Sequence, residues 1–281
     1  MDKEQKLFSV EGFDLEENIA AAHLECALSI NFSHRPYWVD LNWRNRLVLA
    51  RKTDILTGLL ALRGHWGAYS ADHNIFFTDS KSPPLVALHE NMHAYLYEKN
   101  PQLREGPVEH GVTDYLYGLA RAPSADTAKL EEIVVLDSFQ EGMCHWAAFT
   151  TAISLPAFYK DDAAHNFIHG YMPHFSRPED QPMTTEEYHT ELFDCLTKGI
   201  SAYQAAFIES GANRKRDIDL AVKSIEDVRN FAGFAFIRDA MDRFQRDGVR
   251  LSRGIDMLAH RPPTEVKQLR NGPLYARGLR R

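Results

Sequence analysis

Residues 85–100 read LVALHENMHAYLYEKN, and the fold turns on whether this run is one helix. Leu85, Leu88, Met92, Tyr95 and Leu96 recur at helical spacing, so at 100° per residue they form a single apolar stripe. His89 and His93, four apart, lie together on the flank of that stripe, and Glu90 projects further round the same side. Ser82 can cap the run, Pro83 suits a first turn, and Asn100-Pro101 stops it, which predicts one helix over 83–99.

Around this helix the chain reads as α+β and predominantly helical. HNIFFTD, residues 73–79, is aromatic and β-favouring between polar turn residues, which predicts a strand. RLVLA at 46–50 suits a short strand or the start of a helix. Helical patterns cover 14–30, 107–120, 127–152, 184–210, with Thr184 and Glu187 as a capping box, and 216–246. APSAD at 122–126 breaks the chain. The Pro, His and aromatic-rich connection at 156–183 is long enough to suggest a functional loop. The expected organisation is an N-terminal subdomain, 1–121, with a small sheet and the histidine-bearing helix; a helical subdomain, 122–260; and a basic tail, 261–281.

Composition narrows the function. The chain has 281 residues, 44% of them hydrophobic, enough to bury a sizeable core. Its net charge of −7 argues against nucleic-acid binding, which needs surplus Lys and Arg to displace counterions. Cys26, Cys144 and Cys195 are too widely spaced for a disulfide framework or a metal knuckle, and a reducing compartment fits them best. The first residues carry no apolar leader, and no long uncharged apolar run follows. The expectation is a cytoplasmic protein with no membrane partner.

HENMH, residues 89–93, carries chemistry. Two imidazoles one helical turn apart can present ring nitrogens to one metal ion at about 2.0–2.1 Å. A glutamate beside the first of them can take a proton from an activated water and pass it to a leaving group. Thirteen histidines in this chain make a chance match to HExxH about a 0.04 event, so placement on a capped helix adds real weight to the pattern.

On these residues the chain resembles the zincin metallopeptidases. In that layout an edge strand borders the cleft, as HNIFFTD is placed to do, and the motif helix forms its floor. The resemblance covers roughly residues 65–240. It implies one Zn²⁺ held by His89 and His93, Glu90 as catalytic base, a downstream third ligand, and a peptide or protein substrate. VLDSFQEGMCHWAAF is similar to the EG-plus-aromatic segment of gluzincins, which makes Glu141 the first choice for that ligand. On a helix, Glu141 would face inward with Asp137 and His145 one turn to either side, and Gly142 suggests another backbone packed close. GVTDYLYG, 111–118, is similar to the aspzincin pattern GTxDxxYG, with Val112 where threonine stands, and makes Asp114 an alternative beside Tyr117. The same stretch also resembles a gluzincin EGVTDYL signature with His110 in the glutamate position. VRNFAGFAFI, 228–237, resembles a late gluzincin helix behind the site, with Gly233 marking a tight contact.

Three further groups stand out. His145 can orient Glu141 or the substrate. In HNFIHGYMPHF, Tyr171 is the favoured oxyanion donor, ahead of His169 and His174, and a second metal on His165 and His169 is the less favoured use. Cys144 is expected to be a buried thiol. Two rival readings remain: a non-catalytic binding protein with the same shape, and a zinc hydrolase of an ester or small amide.

Overall fold

The structure, a computed structural model, describes residues 17–41, 67–71, 74–78, 82, 84–104, 127–154, 233–234, 236–238 and 240–261. Among these the chain is mostly helical with one three-stranded sheet, the expected α+β class. Two compact units make it up: Met1–Glu98 with Ala147–Ile168, and Lys99–Trp146 with His169–Arg281. The boundary expected at 121/122 lies outside the described residues, as do RLVLA, the helices expected at 107–120 and 184–210, and the 156–183 connection.

The first unit begins with helix α1, Ile19–Leu28, which buries Ala21, Leu24 and Leu28. Asn18 caps it: its Oδ1 accepts from the Ala21 amide at 3.1 Å, satisfying a donor that the helix itself cannot. The helix ends at Ser29, in the left-handed region at φ 55°. The following turn is tied down by two glutamates. Glu25 accepts from the Phe32 amide at 3.1 Å, and Glu98 accepts from the Ser33 amide and hydroxyl, each at 2.8 Å.

That turn delivers strand β1, Tyr37–Asp40, to the sheet beside β2, Gly67–Ser70, and β3, Ile75–Thr78. The strand order is β1-β3-β2, with β1 parallel to β3 and β2 antiparallel to it. This corrects the edge-strand expectation: IFFT is the central strand, flanked on both sides, and the edge next to it is GAYS. The burial pattern gives the reason, since all four residues of β3 are buried, as a strand covered on both faces requires. Neither β1 nor β2 was anticipated, because four residues are too few to display an alternation.

Helix α2, Pro84–Lys99, follows at the predicted place. Its stripe is as expected: Leu88, Met92 and Leu96 are fully buried, with Leu85 and Tyr95 nearly so. The face opposite the histidines is buried too. Asn91, inside the motif, accepts from Asn18 Nδ2 at 2.7 Å and donates to the Ala87 carbonyl at 2.7 Å, while Asn18 Nδ2 also donates to the Pro36 carbonyl at 2.6 Å. One asparagine thus caps α1, holds the approach to β1 and anchors the back of α2.

In the second unit a 3₁₀ turn, Pro101–Arg104, follows Asn100. Helix α3, Thr127–Ser154, spans the 127–152 expectation and passes from the second unit into the first after Trp146. Described residues of 233–246 are helical, here α4, within the predicted 216–246. Helix α4 stops at a left-handed Gly248, φ 75°, where the Val249 amide bonds Phe244 O and the Gly248 amide bonds Gln245 O. A last helix, α5, Leu251–Ala259, was not anticipated. The tail expected from 261 onward is described only at Arg261, whose carbonyl accepts from Asn100 Nδ2 at 2.7 Å. Among the described residues no helix is long and apolar enough to cross a membrane.

Candidate functional site

Helix α2 brings His89 and His93 together as their spacing predicts. Their Nε2 atoms stand 3.1 Å apart, with ring centroids at 4.9 Å and planes inclined by 69°. Two nitrogens bound tetrahedrally to zinc at about 2.0–2.1 Å would stand about 3.3–3.4 Å apart. The pair therefore fits a metal with an adjustment of a few tenths of an ångström, and the soft χ2 torsions of histidine can supply it. The same separation suits a hydrogen bond between two neutral rings, one donating and one accepting.

Glu90 differs from the histidines in its surroundings. It is only 7% exposed, whereas both histidines are partly open. The edge strand explains this. A Cβ built on Gly67 would come within 2.5 Å of Val86 Cγ1 and 3.1 Å of both Cγ and Oε1 of Glu90. The first residue of β2 therefore passes against α2 at the glutamate, and only the missing side chain lets it approach so closely. Gly67 is a site residue that no local pattern revealed. We expect Gly67→Ala to displace the stiff Val86 and the Glu90 carboxylate, lowering stability by about 1–3 kcal/mol. A thermal melt beside wild type checks this, and an unchanged melting temperature would refute it.

In the second unit, α3 is buried at every position from Leu136 to Ala148 except Glu141. Glu141, with 18% of its side chain exposed, is the one position in this stretch whose carboxylate keeps some access to solvent. Asp137 and His145 are buried one turn to either side. His145 Nε2 lies 3.8 Å from Glu141 Oε2, close enough to bias the carboxylate's orientation and beyond a direct hydrogen bond. Cys144 is buried, as expected.

The tight backbone contact expected at Gly142 is present and involves Gly233. A Cβ on Gly142 would lie 2.6 Å from Gly233 Cα and closer still to its carbonyl carbon and oxygen. A Cβ on Gly233 would lie 2.8 Å from Ser138 C and 3.0 Å from Gly142 Cα. Helices α3 and α4 thus cross backbone to backbone, three residues before Glu141 and one after it.

The remaining expectations fall outside the described residues: Asp114 and His110 as alternatives to Glu141, Tyr117 beside Asp114, and Tyr171, His165, His169 and His174 in the long connection. Two further residues near the histidines went unnoticed in the sequence. Tyr97 stacks on His93 with centroids 6.2 Å apart at 27°, and Tyr69 of β2 stacks on Tyr97 at 5.9 Å and 24°. Tyr97 stands one turn beyond His93, so that contact could have been found from spacing; Tyr69 could not. No known protein family, no curated protein and no solved structure matches this chain.

Proposed function

We propose that the chain is a zinc-dependent metallopeptidase of zincin type, with His89, His93 and Glu141 holding one Zn²⁺ and Glu90 acting as general base. The observation that carries this reading is the 3.1 Å separation of the His89 and His93 Nε2 atoms on a helix whose Glu90 is buried beside them. A hydrogen-bonded core pair would account for the rings alone. It gives no reason to bury an intervening carboxylate against a strand that must be glycine to admit it.

When bound, zinc supplies a Lewis acid that polarises the scissile carbonyl and brings the pKa of water toward about 7. Glu90 takes one proton from the attacking water at a carboxylate oxygen as the new C–O bond forms. It returns that proton to the departing amide nitrogen as the C–N bond breaks. The packing of Gly67 on Glu90 limits its rotamers, and the residue is only 7% exposed. Glu141 is the favoured third ligand because it is a carboxylate with access from an otherwise buried helix face, and His145 would set its orientation. Tyr171 is retained as the oxyanion donor, with a peptide or protein as substrate and the cytoplasm as location.

Metal content tests the ligand set. Wild type should purify with about one zinc per chain, His93→Ala and Glu141→Ala should lose most of it, and Asp114→Ala should keep it. A wild-type chain that takes up no zinc sinks the proposal. Loss on Asp114→Ala with retention on Glu141→Ala would transfer the third ligand to Asp114.

A further inference from the structure

We propose that Tyr97, backed by Tyr69, is a positioning residue that fixes the plane of the His93 imidazole and so aims its Nε2 lone pair. This rests on the metal-ligand reading of His93 above. His89, His93 and Tyr97 form a row at successive four-residue steps along α2, so each ring meets the next. His93, Tyr97 and Tyr69 are close to parallel, at 27° and 24°, and their centroid separations of 6.2 and 5.9 Å lie within the range for offset stacking. The column ends on a fixed point. Tyr69 Oη donates to Asn74 Oδ1 at 2.9 Å, and Asn74 is held in the turn between β2 and β3 by its own amide to the His34 carbonyl at 3.3 Å and by the Tyr37 amide to its carbonyl at 3.0 Å.

The ring plane matters because the imidazole lone pair lies in it. Rotation about Cβ–Cγ sweeps Nε2 away from the point it shares with His89, and the intrinsic preference of that torsion is broad. A face-on neighbour resists the rotation. His89 meets His93 nearly edge-on, at 69°, so it cannot fix that plane by stacking. Anchoring Tyr97 through Tyr69 to a hydrogen-bonded turn passes the rigidity of the sheet to a side chain on the helix, as supporting partners of metal ligands commonly do.

The test compares wild type with Tyr97→Phe, Tyr97→Leu, Tyr69→Leu and the double leucine variant, all as full chains. Zinc affinity is read by competition with a chromophoric chelator. The His93 Hδ2 and Hε1 resonances are read in the metal-free protein and assigned with His93→Gln. Tyr97→Leu should weaken zinc binding by about tenfold and shift the His93 signals as ring-current shielding disappears. Tyr97→Phe should change neither. Tyr69→Leu should show a smaller effect that vanishes in the Tyr97→Leu background, because it acts through Tyr97. Wild-type zinc affinity in folded Tyr97→Leu, or unmoved His93 signals, overturns the proposal. Should Tyr97→Leu not fold, Tyr69→Leu decides on the same two readouts. A wild-type chain that binds no zinc overturns the ligand role of His93, while the resonances still report whether the stack exists.

Discussion

Glutamine at position 90 is expected, on the proposed zinc-peptidase mechanism, to leave the protein folded and zinc bound while lowering peptide turnover by about 10²–10⁴-fold, the usual contribution of a positioned base. The two side chains are nearly isosteric, so the close approach of Gly67 to this side chain survives the exchange. What changes is proton affinity: an amide cannot take the proton from water, and on the proposed ligand set no neighbour in the motif can replace it, because His89 and His93 would hold the metal. Hydrolysis of a mixture of internally quenched peptides, metal content and a melting curve on the same preparations provide the check. Retained turnover in the glutamine variant would remove Glu90 from the mechanism. Equal zinc content with no turnover in wild type on any peptide would favour the binding-protein reading, and activity confined to esters or small amides would favour the other hydrolase.

Alanine at position 142 or 233 should be the most destabilising conservative change in the described residues. Each new methyl would meet main-chain atoms of the opposing helix, not the ends of flexible side chains. Main chain within a helix cannot step aside alone, so α3 and α4 would have to separate along their whole contact. Phe139 and Phe236, 6.2 Å apart across that contact, would lose packing with the glycines. Overpacking typically costs about 1–3 kcal/mol, and a backbone clash belongs at or beyond the top of that range. A loss of about 3 kcal/mol lowers the melting temperature by roughly 5 °C in a chain of 281 residues. Gly254→Ala is the control. Its methyl would meet Met241 Cε and Phe244 Cδ2 at 3.0 Å, both on side chains that can rotate, and alanine returns about 1 kcal/mol of helix propensity. Comparable melting for Gly142→Ala and Gly254→Ala would refute the backbone-contact account.

Sequence spacing carried the helices well because their determinants are local. The α2 stripe, its stop at Asn100-Pro101 and the meeting of His89 with His93 all follow from a period of 3.6 residues within one segment. The length of α3 and the close contact at Gly142 were readable for the same reason: a glycine inside a strong helix costs stability unless something occupies the space. Gly233 supplied the matching signal in α4. Helix α5 escaped notice because its nine residues include Gly254 and follow directly on a turn.

The sheet was legible only in its middle strand. YWVD and GAYS are too short to show a period, and their pairing partners lie 38 and 11 residues away in register, from Tyr37 to Ile75 and from Gly67 to Thr78. Such partners are chosen by burial and by hydrogen bonds between distant segments, neither of which a local window contains. The edge position expected for IFFT came from the zincin resemblance, and pairing with both YWVD and GAYS places it in the centre instead.

By itself, then, the sequence determined that one helix presents two histidines and a glutamate on neighbouring faces, because helix geometry converts spacing directly into direction. Only the tertiary structure decided what surrounds them. It pressed Gly67 against Glu90, stacked Tyr69 behind Tyr97 and His93, and set Asn18 under Asn91. Each of those contacts joins segments far apart in the chain, and no local period records a contact that chain folding alone creates.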